Sequence, residues 1–407
     1  MKYRSWLFLV LVAIFVGLLL SGCTGAATAT QAPATTEAMS EAVTISVWHG
    51  YTETEEQVFT DYVKSFQEQN PNITVDVLAV PFDELQNKFQ TEVSAGSGPT
   101  LTTGPQDRMA AYQQAGLLAE IPTDADFFSE LVPATIDGGK IDGVQVGVPI
   151  NSKVVALFYN KSMVDTPPAT FEDLLADAAS GNGLAITSDW FHNYMWIPAF
   201  GGQLFDANYA CALNSEAGAS AFQFLADTCS SEGVTCNAED ANMDTLFRQG
   251  EVAYRLQGPW ASGDFITDLG AENIGVTRVP PIAAADPGDP RPWNQSEMVS
   301  ISVTATPAQQ EAALLFISGL VSTEVQADFL NRANWIPANA SVDPSSNPVV
   351  GGFLDQVPYS DPFPVVTELG ATWEPLGNAV SQVLEGVAEP VTALADACTL
   401  IDTTNNK

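Results

Sequence analysis

The strongest indication of a fold lies in residues 43–104, which read VTISVWHGYTETEEQVFTDYVKSFQEQNPNITVDVLAVPFDELQNKFQTEVSAGSGPTLTTG. The β-branched run Val43–Trp48 predicts a strand. Thr52 then stands three residues before Glu55, the spacing of a helix capping box. Four residues at helical spacing predict the buried face of a first helix: Phe59, Tyr62, Val63 and Phe66.

The same pattern follows a second time. Ile73–Val80 is almost continuously apolar, which predicts a strand covered on both faces. A second buried helix face is predicted from four residues: Phe82, Leu85, Phe89 and Val93. A third strand begins at Leu101. This alternation predicts a parallel α/β unit, in which ligands bind beyond the carboxyl ends of the strands.

Composition limits the possible functions. The chain has 407 residues and a formal net charge of −35, with only 14 Lys and Arg. A hydrophobic fraction of 46% is enough for a sizeable core, and the length predicts two or three domains. So few cations exclude a large basic patch, so we expect no nucleic acid partner and no specific contact with an anionic membrane surface.

The N-terminus has the order of an export signal. Lys2 and Arg4 precede the apolar run from Trp6 to Leu20, which is shorter than the about 20 residues of a membrane span. Leu20-Ser21-Gly22-Cys23 resembles a bacterial lipobox, so we predict a signal peptide over 1–22 and lipidation of Cys23. An ordinary signal peptide with a chance cysteine is the alternative. Residues 23–41, small and polar, predict a flexible tether.

Four cysteines remain: Cys211, Cys229, Cys236 and Cys398. An even number in an exported chain predicts two structural disulfides, and sequence leaves all three pairings open. Zinc is disfavoured, because Cys229 and Cys236 lack the close spacing of zinc ligands and the chain has only His49 and His192.

Several segments in a fixed order resemble the extracellular solute-binding proteins of ABC importers, in the sugar-binding group that contains the maltose receptor. They lie between residues 43 and 390 and are Gly98-Pro99 to Asp107-Arg108, Gln114–Ile121, Pro149-Ile150, Leu157–Lys161, Pro168–Leu175, Gly201-Gly202, Phe247–Gly250, Gly258-Pro259-Trp260, Phe316-Ile317, Ser322–Gln326 and Trp373.

The resemblance implies an α/β, two-lobed, periplasmic-binding-protein-like fold of type II, with each lobe a sheet flanked by helices. It implies three crossing segments at the hinge, near Asn151, Glu297–Val299 and Ser341–Asn347. Lobe 1 is then 42–151 plus 299–342, and lobe 2 is 152–298 plus 343–407. It also implies a monomeric receptor that closes on a sugar or oligosaccharide, delivers it to a membrane permease, and needs neither cofactor nor catalysis.

Aromatic rings can stack on the apolar C–H faces of a sugar, and planar polar side chains can form hydrogen bonds with its hydroxyl groups. Trp260 and Trp373 match stacking positions of the family, and Trp190 and Trp293 are further candidates, each with core packing as the alternative. Asp107 and Arg108 match hydroxyl-binding positions, although Asp107 in a first helical turn also suits the helix dipole. His49 and Tyr51 are candidates because they follow the first strand.

Two positions depart from the family. Gly104 and Pro105 stand where a tryptophan precedes the Asp-Arg pair, and Lys153 stands where maltodextrin-binding members tend to carry an acid. Lys153 therefore either contacts an acidic or modified sugar or pairs with a neighbouring acid. The alternatives for the whole chain are a polyamine or other small solute as cargo, a sensory or adhesive lipoprotein, or a surface glycoside hydrolase. A metal cargo is disfavoured by the scarcity of histidine.

Overall fold

The structure is a computed structural model that describes residues Glu41–Lys407. The predicted signal peptide, the lipidation of Cys23 and nearly all of the tether lie outside the described residues.

The strands, in chain order, are β1 (Val43–His49), β2 (Ile73–Ala79), β3 (Leu101–Pro105), β4 (Lys140–Ile141), β5 (Val144–Gln145), β6 (Val148–Val154), β7 (Ala156–Asn160), β8 (Leu184–Thr187), β9 (Val234–Asn237), β10 (Tyr254–Gln257), β11 (Ile274–Thr277), β12 (Trp293–Ile301), β13 (Ile336–Pro337) and β14 (Asp361–Pro362).

The α-helices are α1 (Glu53–Gln69), α2 (Phe82–Ser94), α3 (Gln106–Gln114), α4 (Pro133–Ile136), α5 (Phe171–Asp177), α6 (Trp190–Asn193), α7 (Trp196–Ala199), α8 (Glu216–Cys229), α9 (Asp240–Arg248), α10 (Ser262–Leu269), α11 (Pro307–Leu320), α12 (Thr323–Ala333), α13 (Pro348–Gln356), α14 (Trp373–Leu384) and α15 (Pro390–Asn405).

Two sheets flanked by helices organise the described residues. The first has the order β13-β6-β12-β3-β1-β2, with β14 paired to β12, and the second has the order β11-β7-β10-β8-β9. In the first sheet β1 is parallel to β2 and β3, while β12 runs antiparallel to β3 and β6. The predicted parallel α/β unit is therefore present, and the antiparallel β12 is added beside it.

The chain passes from the first sheet to the second at Val155, between β6 and β7, and returns over residues 278–292, between β11 and β12. After β13 it runs to α13, which packs on β11, and then β14 rejoins the first sheet. Strand β6 extends to Val154 and β12 begins at Trp293, so both strands of the first sheet reach beyond the lobe ranges predicted from sequence. Those ranges stay a proposal.

The helix face predicted in α1 is correct, because Phe59, Tyr62, Val63 and Phe66 are all buried. The predicted capping box is wrong. Thr52 is the N-cap of α1, but its side chain makes no capping hydrogen bond. The Glu55 side chain is instead buried, where it accepts a hydrogen bond from Trp335.

Strand β2 is not covered on both faces as predicted. It is the edge strand of its sheet, and Val77 and Leu78 are 39% and 43% exposed. In α2, Leu85, Phe89 and Val93 are buried as predicted, whereas Phe82 is 50% exposed. The hydrophobic pattern was misleading here because it reports apolar residues, not which strand lies at the edge of a sheet.

Both pairs of the remaining cysteines form disulfides in the structure. Cys211 is bonded to Cys398, 187 residues away, and this bond ties α15 to the segment before α8. Cys229 is bonded to Cys236, and this bond ties the end of α8 to β9. From Glu41 to Lys407 no single helix is long and apolar enough to cross a membrane; α11 and α12 meet that condition only as a pair, bent by 60°.

Helix α1, which packs against the first sheet, meets α10, which packs with α9 against the second sheet. Thr54 Oγ1 donates to Asp264 Oδ1 at 3.3 Å, and Arg248 pairs with Glu53 at 3.5 Å. A Cβ on Gly263 would come within 2.9 Å of Thr54, so glycine permits this approach. The two helices thereby line an open groove of about 460 Å³.

Loss of the Cys211–Cys398 disulfide should destabilise the protein more than loss of Cys229–Cys236. The chain-entropy model gives about 5 kcal/mol for a loop of this length and about 2 kcal/mol for the short loop, because the longer loop restricts the unfolded chain more. Urea unfolding of the two double Cys→Ala variants measures the difference. Equal losses would contradict the ranking.

Asp264 should make stability depend on pH. Burial, followed by the hydrogen bond and charge of Glu53, raises the pKa of Asp264 to about 7, against the opposing charge of Arg248. An unfolded aspartate titrates near pH 4. The stabilising contribution of the protonated carboxyl is therefore complete below about pH 4 and is lost as the pH rises towards 7.

The variant Asp264→Asn stays uncharged throughout this range. Its Tm relative to wild type should therefore rise between pH 4.5 and pH 8. The matched control Asp396→Asn, at an exposed position of α15, should show no such trend. A constant difference between Asp264→Asn and wild type would contradict the prediction.

Candidate functional site

The first sheet presents several predicted site residues at one edge. Strands β1, β3 and β6 run in the same direction, because β12 is antiparallel to both β3 and β6. Their carboxyl ends carry several of the predicted residues: His49 ends β1 and Tyr51 follows it, Asp107 and Arg108 follow β3, and Lys153 lies near the end of β6. These are the residues expected where a ligand meets such a sheet.

The second sheet contributes aromatic residues in the same way. Strands β8 and β10 are parallel neighbours. Phe191 and His192 follow β8, and Trp260 follows β10. The two edges meet where the Lys153 ammonium lies 5.8 Å from the centroid of the Trp260 ring. The structure thus brings Lys153 and Trp260 together although they lie on different sheets.

Lys153 belongs to a buried cluster of three charged groups. It forms an ion pair with Glu297 of β12, and their side chains are 14% and 7% exposed. Glu55 of α1 accepts a hydrogen bond from Trp335 Nε1 at 2.6 Å and lies within electrostatic reach of both. The second of the two hypotheses for Lys153, pairing with a neighbouring acid, is therefore the one that the structure supports.

The titration of this cluster follows from burial and from the charges within it. Burial lowers the pKa of Lys153, but the negative charges of Glu297 and Glu55 outweigh that effect and leave it raised. Burial raises the pKa of Glu55 to about 6, although Lys153 opposes the shift. At neutral pH the positive charge of Lys153 is therefore compensated by the carboxyl groups of Glu297 and Glu55.

His49 and Tyr51 are buried within electrostatic reach of Glu297 and do not lie on an open surface. They are 0% and 3% exposed, and their rings stack with centroids 5.0 Å apart. His49 Nδ1 accepts the backbone N–H of Tyr51 at 3.1 Å. Burial lowers the pKa of His49 to about 4, against the charge of Glu297. His49 is therefore neutral at physiological pH and supports the site from the interior.

The segment after β10 explains the geometry of Trp260. A Cβ on Gly258 would lie 1.9–2.4 Å from three atoms of the indole, so only glycine lets the ring fold back over the backbone. His192 and Phe191 flank the indole, with centroids at 6.1 and 6.2 Å. Trp260 stays partly exposed. The Gly258-Pro259-Trp260 motif therefore places an indole whose surface is not fully covered.

A polar network holds the edge of the second sheet under Trp260. Arg255, which is fully buried, pairs with Asp240 and donates to Asp244 at 2.9 Å. Gln257 Nε2 donates to Asp240 at 2.9 Å, and its Oε1 lies 3.1 Å from His192 Nε2. Because a buried guanidinium requires such partners, these contacts fix the loops after β8 and β10.

His192 carries charge within this network. Burial lowers its pKa, but the charge and hydrogen bond of Asp189 outweigh burial and raise it to about 9. Both Asp189 oxygens lie 2.9 Å from His192 Nδ1. The loop after β8 is therefore tied to its neighbours by a histidine that stays protonated at neutral pH.

The remaining predicted tryptophans divide into core and surface. Trp190 and Trp293 are 2% and 1% exposed, and Trp293 stacks on Tyr194 with centroids 4.0 Å apart. Both rings are covered in this conformation, which is the core alternative for each. Trp373 is partly exposed and lies 5.9 Å from Trp293. A chain of rings therefore runs from Trp260 through Phe191 and Trp293 to Trp373.

Asp107 and Arg108 lie in the first turn of α3, which begins directly after β3. Burial raises the pKa of Asp107 against the opposing charge of Arg108. The carboxyl group also accepts hydrogen bonds from the backbone N–H groups of Asp107 and Arg108, which oppose that rise. Arg108 Nη1 donates to the Phe82 carbonyl at 2.8 Å, and the guanidinium lies 3.7 Å from the Phe82 ring centroid.

The sequence patterns assigned Glu55, Glu297 and Phe82 only to a helix cap, a crossing segment and a helix face, and Arg255 was not identified at all. Glu297 and Arg255 are the only charged residues of their strands, and a charged residue inside a buried strand is a signal that a partner is required. Within Glu41–Lys407 no group of three or more His, Cys, Asp or Glu residues is arranged to hold a metal ion.

Replacing Lys153 with methionine should cost about 3–5 kcal/mol in the free energy of unfolding, because Glu297 is then buried without its partner. The double variant Lys153→Met/Glu297→Gln should recover part of this loss. Lys161→Met, at an exposed lysine, serves as the control. Urea unfolding at pH 7 measures all three. A cost below about 1 kcal/mol for Lys153→Met would show that the pair is not required.

Comparison with known proteins agrees with this arrangement. The family model for bacterial extracellular solute-binding proteins matches residues 61–350. A maltotriose-binding protein of Pyrococcus abyssi is 25% identical over 358 residues, covering 84% of this chain and 77% of that protein. A maltooligosaccharide ABC transporter solute-binding lipoprotein of Streptococcus pneumoniae is 25% identical over 425 residues, covering 96% and 95%.

A solved structure gives the same result for the fold. The maltose/maltodextrin-binding domain of Bdellovibrio bacteriovorus bound to maltotriose superposes with a TM-score of 0.82 at 26% identity, covering 90% of this chain and 100% of that one. The predicted two-lobed type II fold is thereby confirmed. From the family match and this likeness it follows that the chain belongs to the bacterial extracellular solute-binding protein family.

Proposed function

We propose that this protein is the substrate-binding receptor of an ABC importer, and that it captures an uncharged sugar or oligosaccharide and delivers it to a membrane permease. The observation that carries the proposal is the meeting of the two carboxyl edges at Trp260 and Lys153. A partly exposed indole is held there between polar groups. This is the chemistry that a sugar requires, with an apolar face against a ring and hydroxyls against donors and acceptors.

The proposed contacts differ in their roles. Trp260 and Trp373 supply partly exposed rings, and Asp107 and Arg108 supply an acceptor beside a donor. His49, Tyr51 and Lys153 stand behind these groups and hold them in place, because His49 and Tyr51 are buried and Lys153 is committed to Glu297. Trp190 and Trp293 support the platforms from the core.

The charges disfavour an acidic ligand. Lys153 is neutralised by Glu297 and Glu55, and Arg255 by Asp240 and Asp244, so neither cation is left for an acidic sugar. The four carboxyl groups share these two cations, so the charges do not exclude a polyamine, and the binding assay below separates it from a neutral sugar. Relatives named for maltotriose and maltooligosaccharides support a neutral oligosaccharide as the first ligand to test.

Export and anchoring complete the proposal. The family is extracellular, and one relative is a lipoprotein. Together with the lipobox at Leu20–Cys23, this supports a protein held at the outer face of a membrane by a lipidated Cys23, while the folded part acts as a monomer. Palmitate labelling of wild type and Cys23→Ala, followed by mass spectrometry of the N-terminus, tests the anchor.

A thermal-shift panel tests the receptor function. Maltotriose, cellotriose and galactotriose represent neutral sugars, a trigalacturonate represents acidic sugars, and spermidine represents polyamines. A neutral sugar at 100 times its Kd should add about 2.7 kcal/mol of apparent stability. Chromatography after incubation should recover the sugar intact. Hydrolysis would support the glycosidase alternative, and a response to spermidine or trigalacturonate alone would contradict a neutral-sugar receptor.

Trp260→Ala should weaken binding of the responding neutral sugar about tenfold, because the loss of one aromatic contact approaches 1.4 kcal/mol. Gly258→Ala should weaken binding to a similar extent, since its Cβ displaces the same indole. Isothermal titration calorimetry measures both. Leu400→Ala, at an exposed position of α15, is the control and should bind like wild type. Wild-type affinity in Trp260→Ala would assign that indole to packing alone.

A further inference from the structure

Phe82 has an exposure that packing does not explain. It is the first residue of α2 and is 50% exposed, while Leu85, Phe89 and Val93 on the predicted face of the same helix are 1%, 0% and 3% exposed. Leaving a phenyl ring in water forfeits the stabilisation that burial supplies. Its position beside candidate ligand-binding residues suggests what this exposed ring is for.

Two contacts fix where the ring lies. The Arg108 guanidinium carbon stands 3.7 Å from the ring centroid, and Arg108 Nη1 also donates to the Phe82 carbonyl at 2.8 Å. A Cβ on Gly50 would lie 3.4–3.6 Å from Phe82, so the ring also borders the loop between His49 and Tyr51. Phe82 therefore lies between the carboxyl ends of β1 and β3.

We propose that Phe82 is a stacking platform for a sugar ring, contributed by the first sheet as Trp260 is contributed by the second. One face of the phenyl group is covered by Arg108, and the exposed remainder offers an apolar surface to the C–H face of a pyranose. This inference rests on the proposed function and names a further residue of the same site.

Arg108 gains a defined role from this arrangement. A guanidinium has five N–H donors in a fixed plane, and one of them is given to the Phe82 carbonyl. The cation–π contact holds that plane against the ring. In this proposal the remaining N–H groups donate to the hydroxyls of the stacked sugar, and the neighbouring Asp107 carboxyl group accepts from them.

Calorimetric titration with the neutral sugar that stabilises wild type tests this role. Phe82→Ala should bind about threefold to tenfold more weakly. Phe82→Trp should bind within about twofold of wild type, because it keeps an aromatic face. Leu78→Ala is the matched control, since Leu78 is 43% exposed on the neighbouring edge strand β2, and it should bind like wild type.

Phe82→Leu separates stacking from simple support of Arg108. The backbone carbonyl that binds Arg108 is kept in every variant, and leucine keeps apolar bulk without a π-face. Weak binding by Phe82→Leu, with Tm within about 2 °C of wild type, is expected. Wild-type affinity in Phe82→Ala or Phe82→Leu would overturn the platform while leaving the receptor function intact. Failure of wild type to bind any neutral sugar would contradict the receptor function, and the platform with it.

Discussion

A lysine ammonium and a glutamate carboxylate are removed from water together where the first sheet ends, and the arrangement of the site depends on this pair. Lys153 lies on β6 and Glu297 on β12, adjacent strands of one sheet. Burying either charge without the other would be strongly destabilising. The pair therefore favours the register in which β6 and β12 bring Lys153 and Glu297 together. Glu55 joins them from α1 and is itself bonded to Trp335 near β13. One cluster therefore links a helix, the centre of the sheet and the segment leading to the second sheet.

The second sheet contains a comparable buried ionic cluster. Arg255 is buried inside a strand and is paired by two aspartates of α9. Trp260 lies between the two clusters, close to Lys153 on one side and to His192 on the other. Buried ionic clusters contribute little net stability, but they fix geometry where hydrophobic packing would tolerate slippage. A surface that must match sugar hydroxyls needs such precision more than it needs extra stability.

Local sequence patterns were enough to predict the parallel α/β unit, the buried face of α1 and the helix that follows β3. They were insufficient where a residue's environment is set by distant parts of the chain. Thr52 and Glu55 have the spacing of a capping box, yet the Glu55 side chain accepts a hydrogen bond from Trp335. The apolar run of β2 lies at a sheet edge because, within the described residues, β2 pairs with β1 alone.

The same limit applies to the candidate site. Aromatic residues near strand ends include both partly exposed and fully buried rings, and only tertiary packing separates Trp260 from Trp293. The partner of Lys153 stands far along the chain, so sequence left two hypotheses that the Glu297 contact now distinguishes. The order of the motifs indicated the family, but Phe82 was not among those motifs.

The long cysteine bridge has a consequence for how the chain matures. A chain that emerges into an oxidising compartment N-terminus first presents Cys211, then Cys229 and Cys236, long before Cys398. The earliest available partners of Cys211 are therefore the wrong ones. Early formation of the disulfide between Cys229 and Cys236, only seven residues apart, removes both incorrect partners. Cys211 then stays reduced until Cys398 emerges. Molecules that oxidise in the opposite order depend on thiol–disulfide exchange to be rescued.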